Sequence, residues 1–460
     1  MSARLAACPI LGLLMTSATW AAPTDWPMWG HDASHRARSG VVAAQAPDLN
    51  WESAERAFFH SDYEPDIGQF SPVVGADGAV YYADAEGVVA LNADGSLRWV
   101  HAQEKVSTGV ALGRDGTIYA GHADGLMALN PDGGLRWSFD VPGVPLKWPV
   151  VRPDGRIVAT RAPVERDHER TLGTGTMYVL DEDGHELMRI KVPGGPAAIP
   201  AFMSDSSVVV PAVDCIDWDW DDIWYCAVYR PRLYSASPSQ DQVKLIFSSP
   251  KGGYYARLSS PTIGRGDAIY VAATLSGGAR LYRLDPGGSV RWNVPLECCF
   301  ASMPAIGPGG NVYVETAGGS RPALVHAVSP TGKVRWRTML ADNYYPVHPL
   351  AVGADGTIYG GVFKGVLHAL SPDGSIRWSS TLDPEADYPA PAIGPDGSVI
   401  LLESRLDFSD WSYHQKMIAI GPGPAARQRR EDVGRSGSQS SARTEPEPEI
   451  LRVTSRGWPL

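Results

Sequence analysis

The chain of 460 residues is too long for one small domain, and it is rich in Gly (49), Pro (38) and Trp (15). This composition indicates many short strands and turns and excludes a protein built from long charged helices. A formal net charge of −11 argues against a nucleic-acid partner, because binding to phosphates requires a basic surface.

The first 21 residues have the pattern of a secretory signal peptide. Arg4 supplies a positive charge, Leu5–Met15 forms an apolar stretch, and small residues end at Ala21, where cleavage is expected. A buried N-terminal helix is the alternative, and the LAAC stretch that ends at Cys8 resembles a lipoprotein cleavage box without the apolar residues that should precede it. No later apolar run is long enough to predict a membrane span. We therefore expect a periplasmic or secreted protein.

Two features follow before the main body of the chain. DWPMWGHD (residues 25–32) contains aromatic side chains that we expect to pack against the fold. His31 and Asp32 are interpreted as hydrogen-bonded cap residues rather than as a metal site. Ala46–Trp51 (APDLNW) then resembles Pro131–Trp137 (PDGGLRW), which ends one of the repeats described next.

The body of the chain repeats with a period of about 40 residues, which is typical of propeller blades. GADGAVYYADAEGVVALNADGSLRW (Gly75–Trp99) returns at Gly113–Trp137 and at Gly353–Trp378. Less regular copies end at Met188, Phe247, Trp292 and Trp336, and a last copy starts at Ala390.

Each copy predicts four strands. In the copy that ends at Trp378, strand-like runs are separated by Asp355-Gly356 and by Asp373-Gly374, and Asp-Gly in this position predicts a tight hairpin. The Trp at the end of the fourth strand is expected to pack between neighbouring sheets. Four antiparallel strands per unit favour a propeller over a solenoid.

The last copy lacks its fourth strand, because a polar tail follows Ile420. Ala46–Trp51 could supply that strand and close the ring, which would remove exposed strand edges. The sequence therefore predicts an all-β fold, an eight-bladed β-propeller of four-stranded antiparallel blades, over residues 22–421. Residues 422–460 are predicted to be a disordered tail, since they contain few apolar side chains.

Four cysteines remain once the signal peptide is removed, and an even number in an oxidising compartment indicates disulfides. Four cysteines allow three pairings. Proximity in sequence favours Cys215–Cys226 across a loop and a bridge between the adjacent Cys298 and Cys299.

Function is expected on the face of the ring that contains the longer connections. Short Asp-Gly hairpins share one face, whereas the second-to-third-strand loops and the links between blades share the other, and long loops on a rigid scaffold often hold function. The alternative is that the aromatic residues of these links only pack the loops onto the ring. The candidate residues for binding a ligand or partner are Trp148, Tyr254, Tyr255, Arg257, Phe300, Tyr344, Tyr345 and His348.

The acidic stretch Asp214–Cys226 (DCIDWDWDDIWYC) lies in one of these loops. Asp217, Asp219 and Asp221 are weak candidates for calcium, which binds several carboxylate and carbonyl oxygens. A hairpin tip closed by a disulfide is the interpretation that we favour. No nucleophile–base–acid set, zinc spacing or phosphate-binding loop was found.

The repeat unit, with its ALNPDGxxRW ending, resembles the PQQ-like repeats of quinoprotein-type β-propellers over roughly residues 25–421. That resemblance implies either a dehydrogenase that holds pyrroloquinoline quinone and calcium on the propeller axis, or a cofactor-free binding scaffold such as the outer-membrane assembly lipoprotein. Some of the dehydrogenases place a vicinal disulfide against the quinone. Here the docking motif nearest to the enzymes' version, Ala327–Trp336, is one residue short, and the chain is shorter than the usual enzyme.

The sequence therefore favours an exported, monomeric propeller that binds a protein or polymer on its loop-rich face and has no catalysis or cofactor of its own. The alternative is an alcohol or sugar dehydrogenase that depends on pyrroloquinoline quinone and calcium.

Overall fold

Eight small antiparallel sheets form the computed structural model of this chain. Each is the blade of a β-propeller, so the predicted fold class is confirmed. The structure describes residues 26–59, 71–84, 86–103, 106–142, 145–161, 174–219, 225–237, 242–253, 255–297, 299–318, 321–341, 347–363, 365–407, 409 and 412–421. The predicted signal peptide (1–21) and tail (422–460) lie outside these residues.

The strands are numbered in chain order, from the axis outward within each blade. Blade 1 contains β3 (Val73–Val74), β4 (Val80–Asp84), β5 (Gly87–Leu91) and β6 (Leu97–Ala102). Blade 2 contains β7 (Val106–Leu112), β8 (Ile118–His122), β9 (Gly125–Leu129) and β10 (Leu135–Asp140). Blade 3 contains β11 (Lys147–Val151), β12 (Ile157–Arg161), β13 (Gly175–Leu180) and β14 (Glu186–Val192). Blade 7 contains β30 (Ala351–Val352), β31 (Ile358–Phe363), β32 (Val366–Leu370) and β33 (Ile376–Thr381).

In blades 4, 5 and 6 the innermost strand is split into two short pieces. Blade 4 contains β15 (Gly195–Pro196), β16 (Ala201–Phe202), β17 (Val208–Asp219), β18 (Tyr225–Ala236) and β19 (Val243–Ser248). Blade 5 contains β20 (Arg257–Leu258), β21 (Thr262–Ile263), β22 (Ile269–Leu275), β23 (Gly278–Leu284) and β24 (Val290–Pro295). Blade 6 contains β25 (Phe300–Ala301), β26 (Ala305–Ile306), β27 (Val312–Gly318), β28 (Arg321–Val328) and β29 (Val334–Ala341).

Blade 8 is completed by the N-terminal part of the chain. Its inner three strands are β34 (Ala392–Ile393), β35 (Val399–Asp407) and β36 (Ser412–Ile420), and both β1 (Leu49–Glu52) and β2 (Arg56–Phe59) pair with the outer edge of β36. Trp51 lies opposite Ala419, as the resemblance of Ala46–Trp51 to the end of a repeat predicted.

The recurring Trp packs a blade against the next one. The rings of Trp51, Trp99 and Trp137 lie against the hairpin glycines of the following blades, Gly95, Gly133 and Gly184. These glycines have φ between 83° and 88°, a backbone conformation that a side chain would strain. The indole N–H of Trp99 also donates to Pro131 O at 3.0 Å. The predicted packing between sheets is confirmed.

The core lies between the blades, and a segment near the axis ties them together. Residues 26–44, which we call the axial segment, follow the inner strands around the ring in chain order. Backbone hydrogen bonds connect the axial segment to Val74, Leu112, Phe202, Ile263, Ile306 and Val352, in blades 1, 2, 4, 5, 6 and 7. Each of these partners directly precedes a first-to-second-strand hairpin, so the axial segment closes the channel on the short-hairpin face.

Candidate functional site

The loop-rich end of the channel presents an exposed group of aromatic and cationic side chains at blades 5 and 6. Tyr255 and Arg257 lie at the entry to blade 5, and Phe300 begins blade 6. The Tyr255 and Phe300 rings meet edge to face, 5.7 Å apart. The Arg257 guanidinium lies 5.6 Å from the centre of the Phe300 ring. Tyr255 is 60% exposed. We call these three residues the rim cluster.

Local backbone geometry fixes the rim cluster. Arg257 is held by pairing of β20 with Thr274 of β22, and Phe300 pairs with Ala317 of β27. The Phe300 ring lies against Gly318, whose φ of 133° and missing side chain leave room for it. The cluster is therefore mounted on two strands of a rigid ring, and no acid is paired with Arg257 among the described residues. An aromatic or anionic group of a ligand could add to this cation–aromatic stack.

The predicted bridge between Cys298 and Cys299 is not present. Cys299 is a free thiol, and its Sγ lies 3.8 Å from Gly318 O. The pairing of β25 with β27 brings Cys299 beside Gly318, so the thiol contacts the backbone of β27. Cys298 itself lies outside the described residues.

The acidic stretch at Asp214–Cys226 is mostly strand, which corrects the prediction of a long loop. β17 and β18 form a hairpin of two 12-residue strands, in which Asp217 pairs with Val228. Asp214 is neutralised by Arg232 at 2.6 Å. Over the part of the chain that the structure describes, no group of three acidic, His or Cys side chains could hold a metal ion. The Asp219 side chain and all of Asp221 lie outside that part.

Cys215 is disulfide-bonded. The side chain of Cys226 lies outside the described residues, so the pairing of Cys215 with Cys226 stays a prediction.

Trp148 lines a small hollow on the axis, of about 350 Å³, together with Trp29 and His35 of the axial segment. Trp148 has a φ of 56°, an unusual value for a bulky residue. Trp29 Nε1, His35 Nε2 and Ser71 Oγ all line this hollow, and each is buried without a hydrogen-bond partner among the described residues. A water molecule is the occupant that such a small polar space usually holds. Burial lowers the pKa of His35 to about 4, so its imidazole is neutral at pH 7.

The residues that line the axial hollow can be compared with the partners that the quinone and calcium implied by the fold family would need. A quinone with several carboxylates needs cationic partners, and calcium needs several oxygen ligands. None of the described residues that line the hollow is an acid or an arginine. These residues do not fit the pair of cofactors.

His348 lies in a buried cluster instead of on the surface where the sequence analysis placed it. It is only 3% exposed, and its Nε2 lies 3.4 Å from Asp387 Oδ1. Glu315, from β27, accepts a hydrogen bond from Gly361 N at 3.2 Å and another from the His348 backbone. Burial raises the pKa of Glu315 to about 7. Glu315 therefore joins blades 6 and 7 as a carboxyl that titrates near neutrality.

Sequence reasoning missed Glu315, although a signal for it exists. The copies align it with Ala83, Gly121 and Gly361, so an acid stands where other blades have a small residue. Three predicted site residues, Tyr254, Tyr344 and Tyr345, lie outside the described residues. Of the others, Tyr255, Arg257 and Phe300 come together, whereas Trp148 and His348 lie elsewhere.

Comparisons with known proteins agree with the repeat. Residues 84–212 match a family model described as outer membrane protein assembly factor BamB (PQQ_2). A search of curated proteins gave no match. No helix among the described residues is long and apolar enough to cross a membrane.

Solved structures with a similar fold include the Dos1 propeller, at 11% identity and a TM-score of 0.48, covering 83% of this chain and 96% of that chain. They also include a chain of the mitotic checkpoint complex, at 13% identity and a TM-score of 0.44, covering 73% and 94%. The calcium-binding protein regucalcin from Agrobacterium tumefaciens is a third, at 13% identity and a TM-score of 0.34, covering 83% and 94%. Nothing about function is inferred from similarities of this size. The repeated unit, its eight sheets and the matched segment support the resemblance of this chain to PQQ-like β-propeller repeats.

Proposed function

We propose that this protein is an exported binding scaffold that holds a protein or polymer ligand against the loop-rich end of its propeller, with no catalysis of its own. The observation that supports this most directly is the rim cluster, where Tyr255, Arg257 and Phe300 stand on a rigid ring. Exposed aromatic residues and arginine are enriched where proteins bind one another.

Two further observations support a scaffold. The matched family model is described as an outer membrane protein assembly factor. The axial hollow also lacks acids and arginines among its described lining residues, which supports a scaffold without the quinone and calcium. The identity of the ligand, export and the monomeric state belong to the proposal.

Site-specific photo-crosslinking in the cell of origin tests the proposal. A photoreactive aromatic residue at position 255 should give a discrete adduct, which Arg257→Glu should weaken. The same residue at position 97, on the short-hairpin face of blade 1, is the control, because Leu97 is 55% exposed. No adduct from position 255, or equal adducts from both positions, would contradict a loop-face scaffold.

The dehydrogenase alternative has its own test. Purified protein is supplied with pyrroloquinoline quinone and calcium, and dye-linked oxidation of several alcohols and aldose sugars is measured. We expect no turnover above that of heat-denatured protein. Turnover that depends on both additions would establish the alternative.

A further inference from the structure

Blade 3 lacks the Trp that most blades have at the position that joins neighbouring sheets. Six outer strands have a Trp there, whereas blade 3 has Met188, and in blade 4 Ile246 lies against the hairpin glycine Gly288 of the next blade. The six are Trp51, Trp99, Trp137, Trp292, Trp336 and Trp378.

The neighbours of Met188 have changed with it. Met188 pairs with Val179, whereas Trp99, Trp137 and Trp336 each pair with an alanine. In blade 2 the Tyr119 ring meets Trp137 at 5.8 Å, and the residue that corresponds to Tyr119 in blade 3 is Val158. The Tyr–Trp pair that is present in blades 1, 2, 5, 6 and 7 is thus missing in blade 3.

A pocket takes the place of the missing ring. A hollow of about 610 Å³, including its open mouth, lies between blades 3 and 4 on the short-hairpin face. Its apolar wall includes Met177, Met188, Phe202 and Val208, and Arg152 and Arg156 also line it.

The two arginines make one side of the pocket positively charged. In blades 1 and 2 the hairpin acids, Asp77 and Asp115, pair with arginines of the outer strand. In blade 3 the residue that corresponds to these arginines is Leu187. The hairpin acid Asp154 therefore pairs with Arg152 at 3.4 Å and with Arg156 at 4.0 Å instead.

Arg152 itself is incompletely paired. Its guanidinium lies 5.2 Å from the Phe202 ring, and its Nη1 is buried without a hydrogen-bond partner among the described residues. Two cations share one acid here, so an acceptor from outside would satisfy a donor that the fold leaves free.

We propose that this pocket binds an aromatic side chain of a partner polypeptide that carries an acidic residue beside it. The ring would occupy the space that corresponds to the indole between blades 2 and 3, where Trp137 donates its N–H to Glu182 O at 2.9 Å. The neighbouring carboxylate would accept from Arg152 and Arg156. The site lies on the opposite face from the rim cluster and is independent of it.

Ligand-observed NMR with the purified full chain tests the pocket. The probes are the acidic tripeptide acetyl-Asp-Trp-Asp-amide and the neutral acetyl-Gly-Trp-Gly-amide, each at millimolar concentration. We expect the acidic probe to bind at least about 10-fold more tightly, since charge-assisted hydrogen bonds to arginine are strong. The double substitution Arg152→Gln with Arg156→Gln should remove that preference. Equal affinity for both probes, or no binding of either, would overturn the proposal.

Filling the pocket gives a second, independent readout. Met188→Trp combined with Val179→Ala rebuilds the Trp–Ala pair of blades 1, 2 and 6. This variant should keep or raise the melting temperature and lose binding of the acidic probe. Retention of binding in a stably folded variant would show that the probe binds elsewhere. If the filled variant does not fold, Arg156→Gln alone decides, and undiminished binding of the acidic probe would refute the site.

Discussion

Individual charged residues at the junctions between blades illustrate how burial determines their behaviour. Glu315 is buried between blades 6 and 7, near His348 and Asp387, and its carboxyl has one oxygen without a partner among the described residues. Such a group favours the protonated form, because burial penalises its charge.

Glu315→Gln should change how stability depends on pH. The folded-state pKa of about 7 lies above the ordinary 4.5, so the wild-type carboxyl favours the folded state fully below pH 4.5. That contribution is lost as pH rises through 7. The loss is at most roughly 3.5 kcal/mol, at about 1.4 kcal/mol per pKa unit. The free energy of unfolding, measured by chemical denaturation, should therefore decrease less from pH 5 to pH 8 in the variant than in the wild type. Glu297→Gln, an exposed position, is the control, and an identical pH dependence in wild type and Glu315→Gln would contradict this account.

Arg56 crosses the seam between blades 8 and 1. Its Nε lies 2.8 Å from Asp84, whose side chain is fully buried, and its Nη2 lies 2.8 Å from Glu86. Arg56→Ala should lower the free energy of unfolding by about 1–3 kcal/mol, since it leaves a buried carboxylate with only backbone partners. Urea denaturation checks this. Arg189→Ala, which breaks an exposed pair with Glu186, should cost under about 1 kcal/mol. Equal costs would mean that the seam is not closed as described.

At the scale of elements, the sequence allows the blades to be predicted because each strand boundary has a local chemical cause. Asp-Gly hairpins such as Asp132-Gly133 need positive φ, and a Trp at a fixed offset needs a glycine to pack on. For the Asp214–Cys226 stretch the favoured hairpin agrees with the pairing of β17 and β18, but the loop was predicted too long, because the Asp/Trp alternation has the period of two residues that is a strand pattern. The loss of Trp in blade 3 was visible as Met188, but the resulting pocket depends on the neighbouring blade.

The strand β1, which closes the ring, should contribute as much to stability as the outer strand of any other blade. Trp51 packs on Gly95 of blade 1 in the same way as Trp99 packs on Gly133 of blade 2. Trp51→Ala and Trp99→Ala should each cost roughly 3 kcal/mol of unfolding free energy, because both remove a large ring from a junction. Thermal and urea unfolding measure this. A negligible cost for Trp51→Ala beside a large one for Trp99→Ala would refute closure by the N-terminal strand.

For the whole molecule, the axial segment was the least predictable part. Residues 26–44 have no strand or helix pattern, and their path is set by inner-strand groups of six blades that are distant in sequence. His35, for example, contacts Pro261 O at 3.1 Å. The segment's aromatic packing and the hydrogen-bonded roles of His31 and Asp32 could be expected from DWPMWGHD, but its path could not.

Deletion of residues 22–44, with β1 retained, tests the role of the axial segment. The inner strands would lose backbone hydrogen bonds in six blades. The surfaces that the buried Trp26 and Met28 cover would become exposed to water. We expect a lower melting temperature and a broader transition by calorimetry. A deletion protein that melts like the wild type would show that the ring does not need this segment.

The most direct test of the scaffold proposal is hydrogen–deuterium exchange of the full chain, with and without the partner that crosslinks at position 255. The account predicts slower exchange upon binding at Arg257–Leu258 and Phe300–Ala301, and unchanged exchange at the short hairpin that contains Asp94 and Gly95. Protection confined to the short-hairpin face, with the rim cluster unchanged, would contradict it.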